Sequence, residues 1–207
     1  MSRERATALL VDFDGVLRRW DPAVAAGVER EYGLTEGVLG EIAMSWGLLQ
    51  PVLTGKVGHA DWMASVADAL TPSVGAERAR AAVDDWQRYR GEVDPDVLAF
   101  VREVRAAGVR VGLGTNATDV LDADLAALGL TDELDVVVNS SVAGVHKPAK
   151  EFFQVACDAL ETPPSRVLFV DDEVRAVAGA RVAGLSAHRW SGPGDLRYLR
   201  AALATTG

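Results

Sequence analysis

The stretch Leu9-Leu10-Val11-Asp12-Phe13-Asp14-Gly15-Val16-Leu17 decides how the rest of this chain is read. Ala8 to Val11 is apolar throughout and too short for an amphipathic helix, which predicts a strand buried on both faces of a parallel sheet. Two carboxylates follow at its carboxyl end. Open α/β sheets bind ligands outside the carboxyl ends of their strands, and the two-residue spacing puts Asp12 and Asp14 on one side of an extended chain. Like charges that close need a cation between them or a proton on one of them. The pair therefore points to a hard metal ion, to acid/base work, or to both. Gly15 supplies a sharp turn, and a plain Asp-Gly turn after a strand is the alternative at this point.

Working outward, the character changes from Trp20 to about Asp94, where strand-like runs give way to helical ones: Pro22 to Tyr32, Thr35 to Leu49, His59 to Leu70 and Ala76 to Arg90. Pro22 after Asp21, Thr35 with Glu36 behind it, and the turn Thr54-Gly55-Lys56-Val57-Gly58 punctuate them as caps and loops. The insertion holds Trp20, Trp46, Trp62 and Trp86, four of the five tryptophans. Most of these suit the packing of a small helical core, with one or two left to face a ligand. Lys56 is the insertion's single lysine and reads as a solvated loop cation.

Beyond Asp94-Pro95, helices and strands alternate with short Gly-punctuated connections. A helix to Ala107 precedes a strand at Val109 to Gly114; Asp119 to Leu128 is a helix and Asp135 to Asn139 a strand. The pattern continues with a helix from Ala149 to Leu160, a strand at Val167 to Val170, a helix from Val174 to Ala183 and a strand at Leu185 to Arg189. Asp195 to Ala204 closes the chain as a helix. The fold class is thus α/β, a Rossmann-like doubly wound parallel sheet with right-handed crossovers. It consists of a core from 1–19 and 95–207 and an inserted all-helical subdomain at 20–94.

Of the 207 residues, 49% are hydrophobic and 25% charged, as in an ordinary globular protein, and the net charge is −9. With no Lys/Arg cluster beyond Arg18-Arg19, a face for phosphate backbones is excluded and no nucleic-acid partner is expected. Cys157 has no disulfide partner and falls in a helical pattern, as a buried small hydrophobe does. Met1 to Thr7 is charged rather than signal-like, and no apolar run reaches membrane-spanning length. A cytoplasmic protein without a membrane partner is expected. Monomer and homodimer are equally compatible with the sequence.

Each later strand end also carries polar groups. Gly114-Thr115-Asn116 offers a hydroxyl, an amide and free backbone N–H groups, a cradle for phosphate oxygens or simply a helix cap. Lys147, before Pro148 at a helix start, is disfavoured by the helix dipole, and an anionic ligand explains it. Val167-Leu168-Phe169-Val170 runs into Asp171-Asp172-Glu173, so carboxylates from two strands converge. All-oxygen ligation of this kind suits Mg2+. His59, His146 and His188 lack metal-ligand spacing and read as solvated or packing residues.

In this order, Asp12-x-Asp14-Gly15-Val16, Thr115-Asn116, Lys147-Pro148 and Asp171-Asp172 resemble the haloacid dehalogenase superfamily in its phosphatase branch, across the whole chain. The helical insertion stands where that family carries a cap. Leu53-Thr54-Gly55-Lys56-Val57 resembles the cap of the subgroup with sugar-phosphate phosphatases and the amino-terminal domains of epoxide hydrolases. The resemblance implies a phosphatase for small phosphorylated metabolites, sugar phosphates among them. Asp12 is then the nucleophile forming an aspartyl-phosphate, and Asp14 the acid/base. It further implies Mg2+ held by the Asp12 carboxylate, the Asp14 backbone carbonyl and Asp172, with Asp171 acting through water. Thr115, Asn116 and Lys147 hold the phosphoryl oxygens. Asp14 separates this chain from the dehalogenases of the group, which need no proton on a leaving halide.

One position departs from the family pattern. Four residues beyond the second paired acid the family places Asn or Asp, which helps to position the lysine or a metal-bound water; here that residue is Ala176, with Glu173 and Arg175 nearby. The departure admits a catalytically impaired binding or regulatory protein as an alternative, beside a phosphomutase-type phosphotransferase. Phosphonate cleavage through Lys56 and a phosphorylation-switched receiver module are weaker readings, the latter leaving both the insertion and the Asp-x-Asp-Gly spacing unexplained.

Overall fold

The computed structural model describes residues 5–204; the first four residues of the charged start lie outside them. The strand expected at the start is β1 (Ala8–Val11). It lies at the centre of a five-stranded parallel sheet in the order β5-β4-β1-β6-β7, with β4 at Arg110–Thr115, β5 at Val136–Asn139, β6 at Val167–Asp171 and β7 at Ser186–Arg189. In register, Val11 stands beside Leu113 on one side and Val170 on the other, so the strand ends bearing the acids and Thr115 lie level.

The continuous apolar run of β1 has a direct cause. Leu9 and Val11 enter one core cluster with α6 (Pro95–Ala106), α7 (Leu121–Ala127) and α11 (Leu196–Ala202). Ala8 and Leu10 enter another, on the opposite face, with α9 (Lys150–Ala159) and α10 (Val174–Val182). Each fully buried leucine or phenylalanine contributes about 2 kcal/mol of apolar burial, and a polar residue at either parity would forfeit it. Cys157 packs in the second cluster, and burial pushes its thiol up to about 11, so it is inert as a nucleophile.

Between β1 and α6 the chain forms five helices: α1 (Pro22–Tyr32), α2 (Val38–Ala43), α3 (Trp46–Leu53), α4 (His59–Val74) and α5 (Ala76–Arg88). They share an apolar cluster of their own around Leu39, Trp62, Val66 and Val83. Two expectations are corrected here. The helix read from Thr35 to Leu49 is two helices, parted at Met44-Ser45, and α2 starts at Val38 because the buried Glu29 carboxylate accepts from Gly37 N (2.7 Å) and Leu39 N (2.9 Å). The helix read as ending at Leu70 runs on through Pro72 to Val74.

A further element has no sequence signature. The two passages between the helical insertion and the sheet pair antiparallel as β2 (Arg18–Arg19) and β3 (Glu92–Val93). Asp94 N adds a bond to Leu17 O (2.9 Å), and the Asp94 side chain caps α6. Among the described residues, no helix is long and apolar enough to cross a membrane.

Candidate active site

Asp12 continues the ladder of β1, its backbone N bonding Val170 O at 2.9 Å, and its carboxylate meets Lys147 (Oδ1–Nζ 2.7 Å). Lys147 is 3% exposed and also bonds Asp171 Oδ2 at 2.6 Å. Asp171 accepts from Glu173 N on its other oxygen (2.7 Å). Together with Asp172, these acids offer oxygens that all lie within 4.8 Å of one another. Burial raises the Asp12 carboxyl to about 7, and Asp171 adds to the rise although Lys147 opposes it. Asp172 is raised for the same two reasons, burial first and Asp171 second. Burial alone would lower Lys147, but Asp12 and Asp171 more than offset it and the ammonium is raised.

Such a donor set, all oxygen and short of positive charge, fits Mg2+, which takes one or two carboxylates and keeps room for waters and phosphate. The backbone leaves space for it. Gly15 has φ +79°, and a Cβ there would collide with the Asp172 carboxylate.

Asp14 is turned elsewhere. Arg18 grips both its oxygens (Nε–Oδ1 2.7 Å, Nη2–Oδ2 2.9 Å), and Trp20 Nε1 donates to Oδ1 at 2.6 Å. Arg18 reaches on to Asp124 (Nη1–Oδ2 2.9 Å), which Arg90 holds through Nε (2.7 Å) and Nη2 (2.6 Å). Burial would raise Asp124, but the hydrogen bonds from Arg90 and Arg18 more than offset it and hold the carboxyl below its usual range. Asp12 and Asp14 thus stand at one strand end with separate partners: Asp12 faces the sheet's lysine and Asp14 faces the helical insertion.

Thr115 is buried at the end of β4. The Asn116 side chain pairs with the Lys147 peptide, donating to its carbonyl (3.1 Å) and accepting from its N–H (2.8 Å). Its amide is therefore spent on fixing the loop that carries the lysine. The next connection is tied to the end of β5 by Ser140 Oγ accepting from Ala117 N (3.1 Å) and by Asn139 Nδ2 donating to Thr118 O (2.7 Å). Ala176 is buried among apolar side chains of α9 and α10. Lys147 is held directly by Asp171.

Above Asp14 lies a cavity of about 530 Å³ between the helical insertion and the sheet. Arg18, Trp20 and Trp62 line it, whereas Arg19 turns to Asp94 (3.4 Å) and Trp46 packs edge-on to His146. Trp86 also lines it, as do Tyr89, Arg90 and Asp124, which were not singled out in the sequence. His59, read as a solvated or packing residue, is also in the wall. Lys56 is exposed and outside the lining.

The profile described as haloacid dehalogenase-like hydrolase matches residues 6–184. A phosphatase of Mycobacterium tuberculosis is 30% identical, over 92% of this chain and 90% of its own. The phosphoglycolate phosphatase of a Cupriavidus necator plasmid is also 30% identical, over 91% and 84%. A solved HAD-family enzyme of Bacteroides thetaiotaomicron, in complex with magnesium and inorganic phosphate, superposes with a TM-score of 0.71 at 17% identity, over 90% of this chain and 94% of its own. At that identity it shows the fold.

Proposed function

The chain belongs to the haloacid dehalogenase-like hydrolases, and within that family we propose that it is a magnesium-dependent phosphatase of small phosphorylated metabolites, acting in the cytoplasm through an aspartyl-phosphate on Asp12. The observation that carries this reading is the second acid. Asp14 stands at the mouth of a cavity, two residues from an Asp12 held by a buried lysine. On this reading residues 1–19 and 95–207 are the catalytic core and 20–94 the cap.

Asp12 attacks phosphorus, the bond from phosphorus to the ester oxygen breaks, and Asp14 gives its proton to the departing oxygen. Asp14 then takes a proton from water as the water oxygen attacks the aspartyl-phosphate, which releases phosphate and restores both carboxyl groups. Because Arg18 and Trp20 occupy both oxygens of Asp14, each proton transfer requires the side chain to exchange one of these partners for the leaving oxygen or the water. Lys147 offsets charge on the phosphoryl oxygens, Thr115 donates to them, and Asn116 serves by locking the Lys147 loop. Asp12, Asp172 and the Asp14 carbonyl would hold Mg2+, with Asp171 acting behind them on Lys147. When bound, the ion supplies charge neutralisation for Asp12 and the phosphoryl group.

The test is phosphate release from a panel of phosphate monoesters in the presence of magnesium, with Asp12→Asn and a chelator as controls. The reading expects turnover that both controls abolish, with a loss of at least about 10³-fold for the variant. Turnover that survives Asp12→Asn would sink it.

A further inference from the structure

The wall of the cavity differs in kind from what a polyhydroxylated substrate needs. Its surface is dominated by aromatic and aliphatic side chains, among them Trp62, Trp86, Tyr89, Met63 and Leu49. Most of the polar groups that reach the wall have partners within the protein. Arg18 and Arg90 spend their guanidinium groups on Asp14 and Asp124. Asn116 is bound to the Lys147 peptide, and Asp21 caps α1 through Ala23 N at 2.8 Å. Gln87 donates to Asp84 (3.1 Å), and Thr118 Oγ1 lies 3.4 Å from His59 Nδ1. Trp62 donates its indole N–H to Ala43 O at 3.1 Å, so that it turns only its apolar ring inward. Burial, followed by the charge of Arg90, lowers His59, so this ring brings no cation at neutral pH.

A hydroxyl taken into such a space without a partner gives up its hydrogen bonds to water uncompensated, and a sugar would bring several. An apolar ring meets no such cost and gains from burial against aromatic faces. The volume of about 530 Å³ is ample for one, since small-molecule sites run from roughly 300 to 1,000 Å³. The cap also meets the core closely enough to enclose it. Gly55 has φ +70°, and a Cβ there would collide with the Ser141 carbonyl; His59 N donates to Asp119 Oδ1 at 2.7 Å.

We infer that this cavity receives the organic part of a phosphate monoester whose alcohol is apolar and ring-bearing, an aryl-alkyl phosphate rather than a polyol phosphate. The inference rests on the phosphatase reading for the phosphoryl end and deepens it by naming the class of the leaving group. The phosphate sits over Asp12 and Lys147, the ester oxygen at Asp14, and the ring between the cap tryptophans.

The experiment compares 2-phenylethyl phosphate with glucose 6-phosphate, both esters of primary alcohols, beside acetyl phosphate, which has almost no organic part. A kcat/KM at least roughly tenfold higher for the phenylethyl ester, carried mainly by KM, is expected. Equal or better turnover of glucose 6-phosphate overturns the assignment while leaving the phosphatase reading intact. Binding is followed separately, by quenching of tryptophan fluorescence in Asp12→Asn titrated with the same two esters. Tighter capture of the phenylethyl ester upholds the cavity assignment even if the wild type releases no phosphate from acetyl phosphate, a result that would sink the phosphatase reading instead. Equal or weaker capture overturns the assignment. Val24→Asn, which places an amide in the wall, should cut the preference at least about fivefold; an unchanged preference would also count against it.

Discussion

Two charge clusters meet at the end of β1, and they are built oppositely. On the sheet side, three carboxylates, Asp12, Asp171 and Asp172, surround one ammonium, Lys147. On the cap side, two carboxylates, Asp14 and Asp124, alternate with two guanidiniums, Arg18 and Arg90. The first is short of positive charge, and burial, with Asp171 adding to it, raises its acids: Asp12 to about 7 and Asp172 as well. The second is balanced, and Asp124 moves the other way. An unbalanced buried cluster invites a cation, whereas a balanced one acts as a brace. Asp12 and Asp14, the pair proposed to carry the chemistry, straddle the boundary between them.

That contrast can be broken by experiment. The largest effect is expected from Asp14→Asn, which removes the proton carrier and leaves the sheet-side cluster whole. kcat on alkyl phosphates should fall by roughly 10²- to 10⁴-fold while magnesium binding persists. The loss should be least on acetyl phosphate, whose leaving group needs no proton; a uniform loss across esters would show that Asp14 does not act as the acid.

Next comes the brace. Asp124→Ala strands the buried Arg18 beside Arg90 and should cost about 3 kcal/mol, or roughly 10 °C in Tm for a chain of this size. Magnesium should not repair it. A full rescue by magnesium would mean that the two clusters are one.

The cation-binding side is distinguished by its pH dependence. Below the raised value of about 7 a proton occupies Asp12 in the metal-free protein, so a cation must displace it. Apparent magnesium affinity should therefore rise, by roughly tenfold or more, from pH 5.5 to 7.5, with a larger magnesium-induced Tm shift at the higher pH. In the metal-free protein the linkage runs in reverse, because the folded chain holds a proton on Asp12 that the unfolded chain has lost. Stability from this residue declines as pH rises from about 4 to about 7. A magnesium shift independent of pH would place the cation away from Asp12.

The smallest effect is expected at the seam between cap and core. Gly55→Ala places a Cβ against the Ser141 carbonyl at a positive φ, with about 1–2 kcal/mol of backbone strain. KM should rise several-fold in steady-state assays while the melting of the core changes little. An unaltered KM would show that this contact does not hold the cap closed.

Much of the catalytic floor could be read in the linear chain. Apolar runs end in acids at β1 and β6, and Thr115 and Lys147 follow their strands; residues placed by the strand-end rule need no knowledge of partners. The brace was harder to find. Nothing in the sequence pairs Arg18 with Asp124, because the bond joining them spans 106 positions and carries no local pattern. The start of α2 at Val38 was missed for the same reason, since Glu29 caps it from another helix. Ala176, a departure from the family pattern, is buried among apolar side chains of α9 and α10.

By itself, the sequence determined the parallel sheet, the helical insertion and the four strand-end motifs, because periodicity and strand-end chemistry are local and repeat along the chain. Only the tertiary structure decided which charges pair, that Asn116 is spent on the Lys147 loop, and that a largely apolar cavity lies between cap and core. Those properties depend on side chains brought together from distant positions, where burial and long-range hydrogen bonds set the balance.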